Sequence, residues 1–216
     1  MIKGIVFDMD GTIFDTEKQY RDGWVSSAKN MGFDLPMELF YKCCGLPHKK
    51  LKETYLDYYG KDFDFEKLHQ GKIDYQNAEW EKNGIPIKDG FFELMDFCKE
   101  HNIKTAIATS TVKERAVRML KTAGVYECFD SVISGDELER GKPYPDIFEK
   151  AAENIGVRCA ECIGVEDSTN GIIAVKRAGM TSVFVVDITE PNEKIKENSD
   201  YIFKSLSEII NLVKIL

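Results

Sequence analysis

A chain of 216 residues, 43% of them hydrophobic, can bury a sizeable core, and its length suits one large domain or a domain carrying an insertion. The formal net charge of -8 argues against an extended nucleic-acid partner, since phosphate-backbone binding rests on clustered positive charge, while a small anion at a local site stays compatible with it. No apolar run reaches the roughly 18 residues needed to span a bilayer, and the N-terminus has neither a basic lead nor a signal-type apolar segment, so a cytoplasmic protein without a membrane partner is expected.

In chain order, the apolar run Ile5-Val6-Phe7 predicts a buried strand over 3–7, and Asp8, Asp10 and Asp15 crowd in directly behind it. From Thr16 to about Lys88 the spacing is helical and the composition rich in Lys, Glu, Tyr and Asp. This stretch is broken at Gly32, Pro36, Gly45-Leu46-Pro47, Gly60 and Gly84-Ile85-Pro86, and it holds no convincing strand. A helical insertion over 16–88 is therefore expected. From Phe91 onward helices near 91–101, 112–123, 145–155 and 169–178 alternate with strands at 105–108, 131–133, 162–165 and 182–186. Such alternation implies an α/β fold: a doubly wound parallel sheet over 1–15 and 89–216, covered on both faces and carrying the insertion. Cys43, Cys44, Cys98, Cys128, Cys159 and Cys162 sit mostly in apolar segments and read as reduced core thiols. Cys159-Ala160-Glu161-Cys162 lacks the second ligand pair that zinc requires.

In open parallel sheets ligands bind beyond the carboxyl ends of the strands. Four loops answer to that position: Asp8 to Thr12, Thr109-Ser110-Thr111, Lys142-Pro143, and Glu166-Asp167-Ser168. Carboxylates this close repel one another unless a cation sits among them, and an oxygen-only donor set suits Mg²⁺ with waters and a substrate phosphate. Hydroxyls near a helix start, together with a lysine, supply the donors and positive charge that a phosphate needs. An aspartate in such a site can attack phosphorus and form an acyl phosphate, while a carboxylate two residues on protonates the leaving oxygen and then activates water.

Asp8-Met9-Asp10-Gly11-Thr12, followed by Thr109, Lys142-Pro143 and Glu166-Asp167 in that order, resembles the haloacid dehalogenase superfamily of phosphohydrolases over essentially the whole chain. The resemblance implies a Rossmann-like core. The insertion looks like the helical cap of the branch that includes β-phosphoglucomutase and small sugar-phosphate phosphatases. Carried over by position, the resemblance makes Asp8 the nucleophile and a Mg²⁺ ligand. Asp10 becomes the general acid and base, its backbone carbonyl also on the metal. Thr109 and the backbone N–H of Ser110 would hold the transferring phosphoryl oxygens, and Lys142 would neutralise their charge and orient Asp8. Asp167 would be the other metal carboxylate, with Glu166 at or just outside that shell. The cap would choose the substrate by closing over the leaving group.

The mutase pattern has a histidine where Tyr20 stands here, and an arginine where this chain reads Gly45-Leu46-Pro47-His48. That arginine grips a second phosphate; His48, Lys49 and Lys72 are the candidates to replace it. The expected activity is hydrolysis of a small phosphorylated metabolite, a sugar phosphate, with interconversion of β-glucose 1-phosphate and glucose 6-phosphate as the alternative. No protein partner is indicated. A signalling receiver also combines acids, a hydroxyl and a lysine, but it spaces them differently and is far shorter. Blander readings stand beside each motif. Asp15 or Thr16 can cap the first insertion helix, Thr109 to Thr111 the next core helix, and Glu166-Asp167 the helix near Thr169, while Lys142-Pro143 can be a solvated loop. Trp24 and Trp80 read as packing residues, and His69 and His101 as surface.

Overall fold

The computed structural model describes residues 1–44, 46, 48–187 and 190–216, with Glu17 by its main chain only. Gly45 and Pro47, in the expected break at 45–47, lie outside the described residues. The chain divides into two compact units, Met1–Asp15 with Ile85–Leu216, and Thr16–Gly84.

The first unit is built on one parallel sheet of β1 (Gly4–Phe7), β2 (Lys104–Thr109), β3 (Ser131–Ser134), β4 (Cys162–Glu166), β5 (Thr181–Val185) and β6 (Tyr201–Phe203), in the order β3-β2-β1-β4-β5-β6. Ile5, Val6 and Phe7 are all fully buried, as a central parallel strand covered on both faces requires. Alternate residues serve the two faces. Val6 with Ala106, Ala108 and Ile133 receives Ile147, Phe148, Ala151 and Ala152 from α7 (Asp146–Asn154), the small alanines of β2 leaving room for the helix. On the opposite face Phe7 meets Phe129 edge-on, and Phe129 meets Phe91 of α5 (Phe91–Glu100). The remaining helices are α6 (Lys113–Thr122), α8 (Thr169–Arg177), α9 (Glu193–Asn198) and α10 (Glu208–Ile215). Gly164 of β4 lies so close under Val175 of α8 that a Cβ there would overlap the valine.

Register sets the level of the strand ends. Phe7 pairs with Ile107 on one side and Val165 on the other, so β1, β2 and β4 deliver their following loops to one edge. Residues 13–15 run beside 85–88: Asp15 N–H donates to Pro86 O (3.0 Å) and Lys88 N–H to Ile13 O (2.9 Å). These bonds tie the start of the return segment to the sheet unit.

The second unit consists of α1 (Glu17–Asn30), α2 (Met37–Cys43), α3 (His48–Tyr59) and α4 (Phe65–Asn83). Helices α1 and α4 approach closely. Ser27 Oγ donates to Leu68 O (2.7 Å), a Cβ at Gly71 would collide with Ser27, and Gly23 lies against the Lys72 main chain. Trp24 is buried and stacks on Tyr55 at 5.3 Å; Trp80 is buried and gives its Nε1–H to Gln19 Oε1 (2.8 Å). The packing reading of both tryptophans holds.

Several expectations are corrected. Thr16 occupies the N-cap of α1 without a side-chain bond, and Asp15 instead pairs with Lys88 at 3.5 Å, so neither residue caps the helix through its side chain. His69 is half-buried, its ring stacked on Phe65 and near Trp24, because the helix face it shares turns inward. All six cysteines are free thiols; Cys43, Cys98 and Cys162 are buried, Cys44 exposed. Among the described residues no helix is long and apolar enough to cross a membrane.

Candidate active site

The turn after β1 fixes the first acidic pair. Asp8 N–H still donates to Val165 O (2.9 Å), keeping Asp8 in sheet register, and the chain then folds back as Ile13 and Phe14 N–H both donate to Met9 O. The reversal needs a positive φ, +82° at Gly11, which glycine adopts without penalty. Gly11 has a second role: the Asp167 carboxylate occupies the space that a Cβ would fill, and Thr12 Oγ1 donates to Asp167 Oδ1 (3.1 Å). A carboxylate 155 residues away is thereby set against the turn that carries Asp8 and Asp10.

Lys142 is the hub. Its side chain is 7% exposed, and its ammonium donates to Asp8 Oδ1, to Glu166 Oε1 (2.6 Å) and to Ala108 O (3.0 Å), with the Phe148 ring 5.0 Å away. The Glu166 side chain is 1% exposed. Its Oε2 accepts from Asp167 N–H (3.0 Å), Ser168 N–H (2.8 Å) and Ser168 Oγ (2.9 Å), so both oxygens are engaged. A side chain at Gly171 would overlap that carboxylate. The Lys142-Pro143 peptide is cis, and Arg177 donates to Pro143 O (2.9 Å) while Arg140 pairs with Asp146 and stacks on Tyr144, bracing the loop on either side of the lysine.

Charge and burial oppose each other here. On balance the Asp8 carboxyl is pushed up to about 8: burial raises it most, Lys142 pulls it down, and Glu166 and Asp10 add to the rise. For Lys142 burial alone would lower the ammonium, but Asp8 and Glu166 outweigh it and the net shift is upward. The lysine is therefore held charged beside carboxylates that outnumber it.

Thr109 is buried at the end of β2, and its Oγ1 accepts from Thr111 N–H (3.0 Å), a tie that curls the loop. Ser110 is exposed at the crest. Thr111 Oγ1 donates to Asp10 Oδ2 (2.8 Å). This contact is the piece that motif reading missed; its only trace in the sequence is a third hydroxyl in a strand-end loop. The capping readings of both loops fail: α6 has Val112 at its N-cap with no side-chain bond, and α8 is capped by Ser168 accepting from Gly171 N–H (3.1 Å). The Arg115 guanidinium of α6 is lowered by burial, with the charge of Asp10 acting in the opposite sense.

Asp8, Asp10, Thr109, Lys142, Glu166 and Asp167 thus meet at one edge of the sheet unit through direct contacts or shared turns. The other three candidates belong to the helical unit. His48 and Lys49 are exposed at the start of α3, with the His48 ring 4.8 Å from that of His69. Lys72 is buried, its ammonium 4.3 Å over the Tyr20 ring.

Among the described residues no three His, Cys, Asp or Glu side chains enclose a common point. Mg²⁺ usually takes one or two carboxylates and keeps waters and phosphate oxygens for the rest. Asp8, Asp167 and the Asp10 carbonyl are oxygen donors of that kind, and the carboxylate excess around one lysine suits a divalent cation. The donors fit the ion.

A model of the haloacid dehalogenase-like hydrolases matches residues 5–185. The chain is 28% identical over 219 residues to a phosphorylated carbohydrates phosphatase of Thermotoga maritima, with 99% of each chain covered. It is also 28% identical to a β-phosphoglucomutase of Bacillus subtilis, over 85% of this chain and 83% of that one. Among solved structures, a hydrolase of family IA, variant 3, from Entamoeba histolytica superposes with a TM-score of 0.83 at 25% identity, covering 99% of this chain and all of the other.

Proposed function

The chain belongs to the haloacid dehalogenase-like hydrolases, and from that premise we propose that it is a Mg²⁺-dependent phosphatase, hydrolysing a small phosphorylated metabolite of the sugar-phosphate class through a phosphorylated Asp8. The observation that carries this reading is the Lys142 ammonium buried between Asp8 and Glu166 at the carboxyl end of the sheet. Asp8 attacks phosphorus, and the bond from phosphorus to the leaving oxygen breaks with its electron pair on that oxygen. Asp10 gives that oxygen a proton. In the second displacement Asp10 takes a proton from water as the water oxygen bonds phosphorus and the link to Asp8 breaks.

Lys142 balances the phosphoryl charge and aims Asp8, since it donates to that carboxylate already. Glu166, with both oxygens occupied, holds Lys142 and stands outside the direct ligands of the metal. Thr109 and the main chain of Ser110 receive the phosphoryl oxygens. Asp8, Asp167 and the Asp10 carbonyl would hold Mg²⁺, which when bound supplies positive charge against the phosphate oxygens. The insertion expected over 16–88, of which Thr16–Gly84 forms the helical unit, is assigned as the cap that selects the leaving group.

Hydrolysis is preferred to phosphoryl transfer between sugar positions because a mutase must also grip a distal phosphate. The residues available for that grip here are His48 and Lys49, exposed, and Lys72, placed over Tyr20.

A panel of sugar phosphates in Mg²⁺ buffer tests the reading. It includes β-glucose 1-phosphate with a trace of the 1,6-bisphosphate, and free phosphate and glucose 6-phosphate are followed together. Free phosphate released by the wild type and lost in Asp8→Asn is the expected result. Glucose 6-phosphate appearing without free phosphate would make the enzyme a mutase.

A further inference from the structure

We propose that Thr111 is a positioning residue that fixes the acid and base oxygen of Asp10; the inference rests on the phosphatase reading and extends it to a residue outside the motifs. A general acid must hold its proton within hydrogen-bond reach of the leaving oxygen, about 2.6–3.2 Å, in a defined direction. The Asp10 main chain is held by the turn in which Gly11 N–H donates to Phe14 O (2.9 Å), but its carboxyl has two torsions of its own. Thr111 Oγ1 donates to Oδ2 at 2.8 Å and supplies the missing restraint.

The donor is well anchored. Thr111 follows β2 by two residues, its N–H is tied to the buried Thr109 hydroxyl (3.0 Å), and β2 is paired with β1 from Lys104 to Ile107 and with β3 from Ala106 to Thr109. Its β-branched side chain has few χ1 choices. A hydroxyl carries one proton, and with that proton given to Oδ2 the transferable proton of Asp10 resides on Oδ1. In the first displacement it passes from Oδ1 to the leaving oxygen as the phosphorus–oxygen bond breaks; in the second a water proton returns to Oδ1. The bond from Thr111 to Oδ2 persists through both.

A role in acid positioning separates from a role in phosphate binding or loop folding by its dependence on the leaving group. p-Nitrophenolate departs without a proton, phenolate needs partial protonation, and a sugar alkoxide needs a full one. The experiment compares kcat/KM for p-nitrophenyl phosphate, phenyl phosphate and the best sugar phosphate in wild type, Thr111→Val and Thr111→Ser. Thr111→Val should lose about tenfold or more on the sugar ester beyond its loss on p-nitrophenyl phosphate, part of the 10²–10⁴ that acid catalysis supplies, and Thr111→Ser should restore the wild-type ratio.

An equal loss on all three esters, or no loss, overturns the proposal. Thr111→Ala provides the same comparison if the valine variant fails to fold by circular dichroism. Asp10→Asn serves as the reference. If it shows the leaving-group dependence and Thr111→Val does not, only the role of Thr111 falls. If Asp10→Asn lacks that dependence, the assignment of Asp10 itself fails.

Discussion

Replacing Glu166 by glutamine probes the buried network most directly. Oε1 accepts the Lys142 ammonium at 2.6 Å, while Oε2 accepts three donors at 2.8–3.0 Å. An amide has one oxygen and one NH₂, so it can satisfy only one of these sides. With its oxygen toward the three donors, the NH₂ faces an ammonium; reversed, it faces two N–H groups and a hydroxyl. Stranding a buried donor costs about 1–3 kcal/mol, and breaking a buried ion pair about 3–5. Lys142 retains Asp8 and the Ala108 carbonyl, which places the expected loss at about 2–4 kcal/mol, or roughly 5–15 °C in Tm for a unit of this size. A tilted Lys142 should also lower kcat by about ten- to a hundredfold.

Far-UV circular dichroism follows both units during melting, and fluorescence follows the helical one, because Trp24 and Trp80 are the two tryptophans of the chain and both lie in it. Both probes are needed, since a chain of two units need not unfold in one step. A Glu166→Gln protein that melts within about 1 °C of wild type and turns over normally would refute the buried network as drawn.

Gly11→Ala should cost about 1–3 kcal/mol for a side chain at positive φ and displace the Asp167 carboxylate. Titrating activity against Mg²⁺ should then show a raised half-saturation point, and an unchanged one would remove Asp167 from metal binding. The Cys98 and Cys162 thiols, pushed up to about 12 by burial, have almost no thiolate at pH 8. Iodoacetamide labelling read by mass spectrometry should therefore reach exposed Cys44 first, and Cys98 and Cys162 only after denaturation. Trp24→Ala should destabilise the helical unit by about 3–5 kcal/mol, because it empties the ring cluster with Tyr55 and Phe65; urea unfolding followed by circular dichroism measures it.

Elements that carry their own signal were legible without coordinates. The central strands are short apolar runs, and a strand buried on both faces is apolar along nearly all of its length, so Ile5-Val6-Phe7 and Ala106-Ile107-Ala108 declare themselves. The loops at their ends could be named because a strand end is local to its strand. Helix α7, with apolar residues at 147, 148, 151 and 152, is equally plain. The short elements at the sheet edge lack such a signal: β6 has three residues, is half exposed and is held by its partner β5, and α9 is a six-residue helix with one buried residue, Ile195.

The sequence by itself determined the residue types of the site and their order along the chain, since chemistry and strand ends are both read from neighbouring residues. Tertiary structure alone decided the pairings. Lys142 between Asp8 and Glu166, the Asp167 carboxylate accepting from Thr12, and Thr111 against Asp10 join residues 24 to 155 positions apart. Such contacts depend on the parallel register that levels β1, β2 and β4, and no local spacing encodes that register.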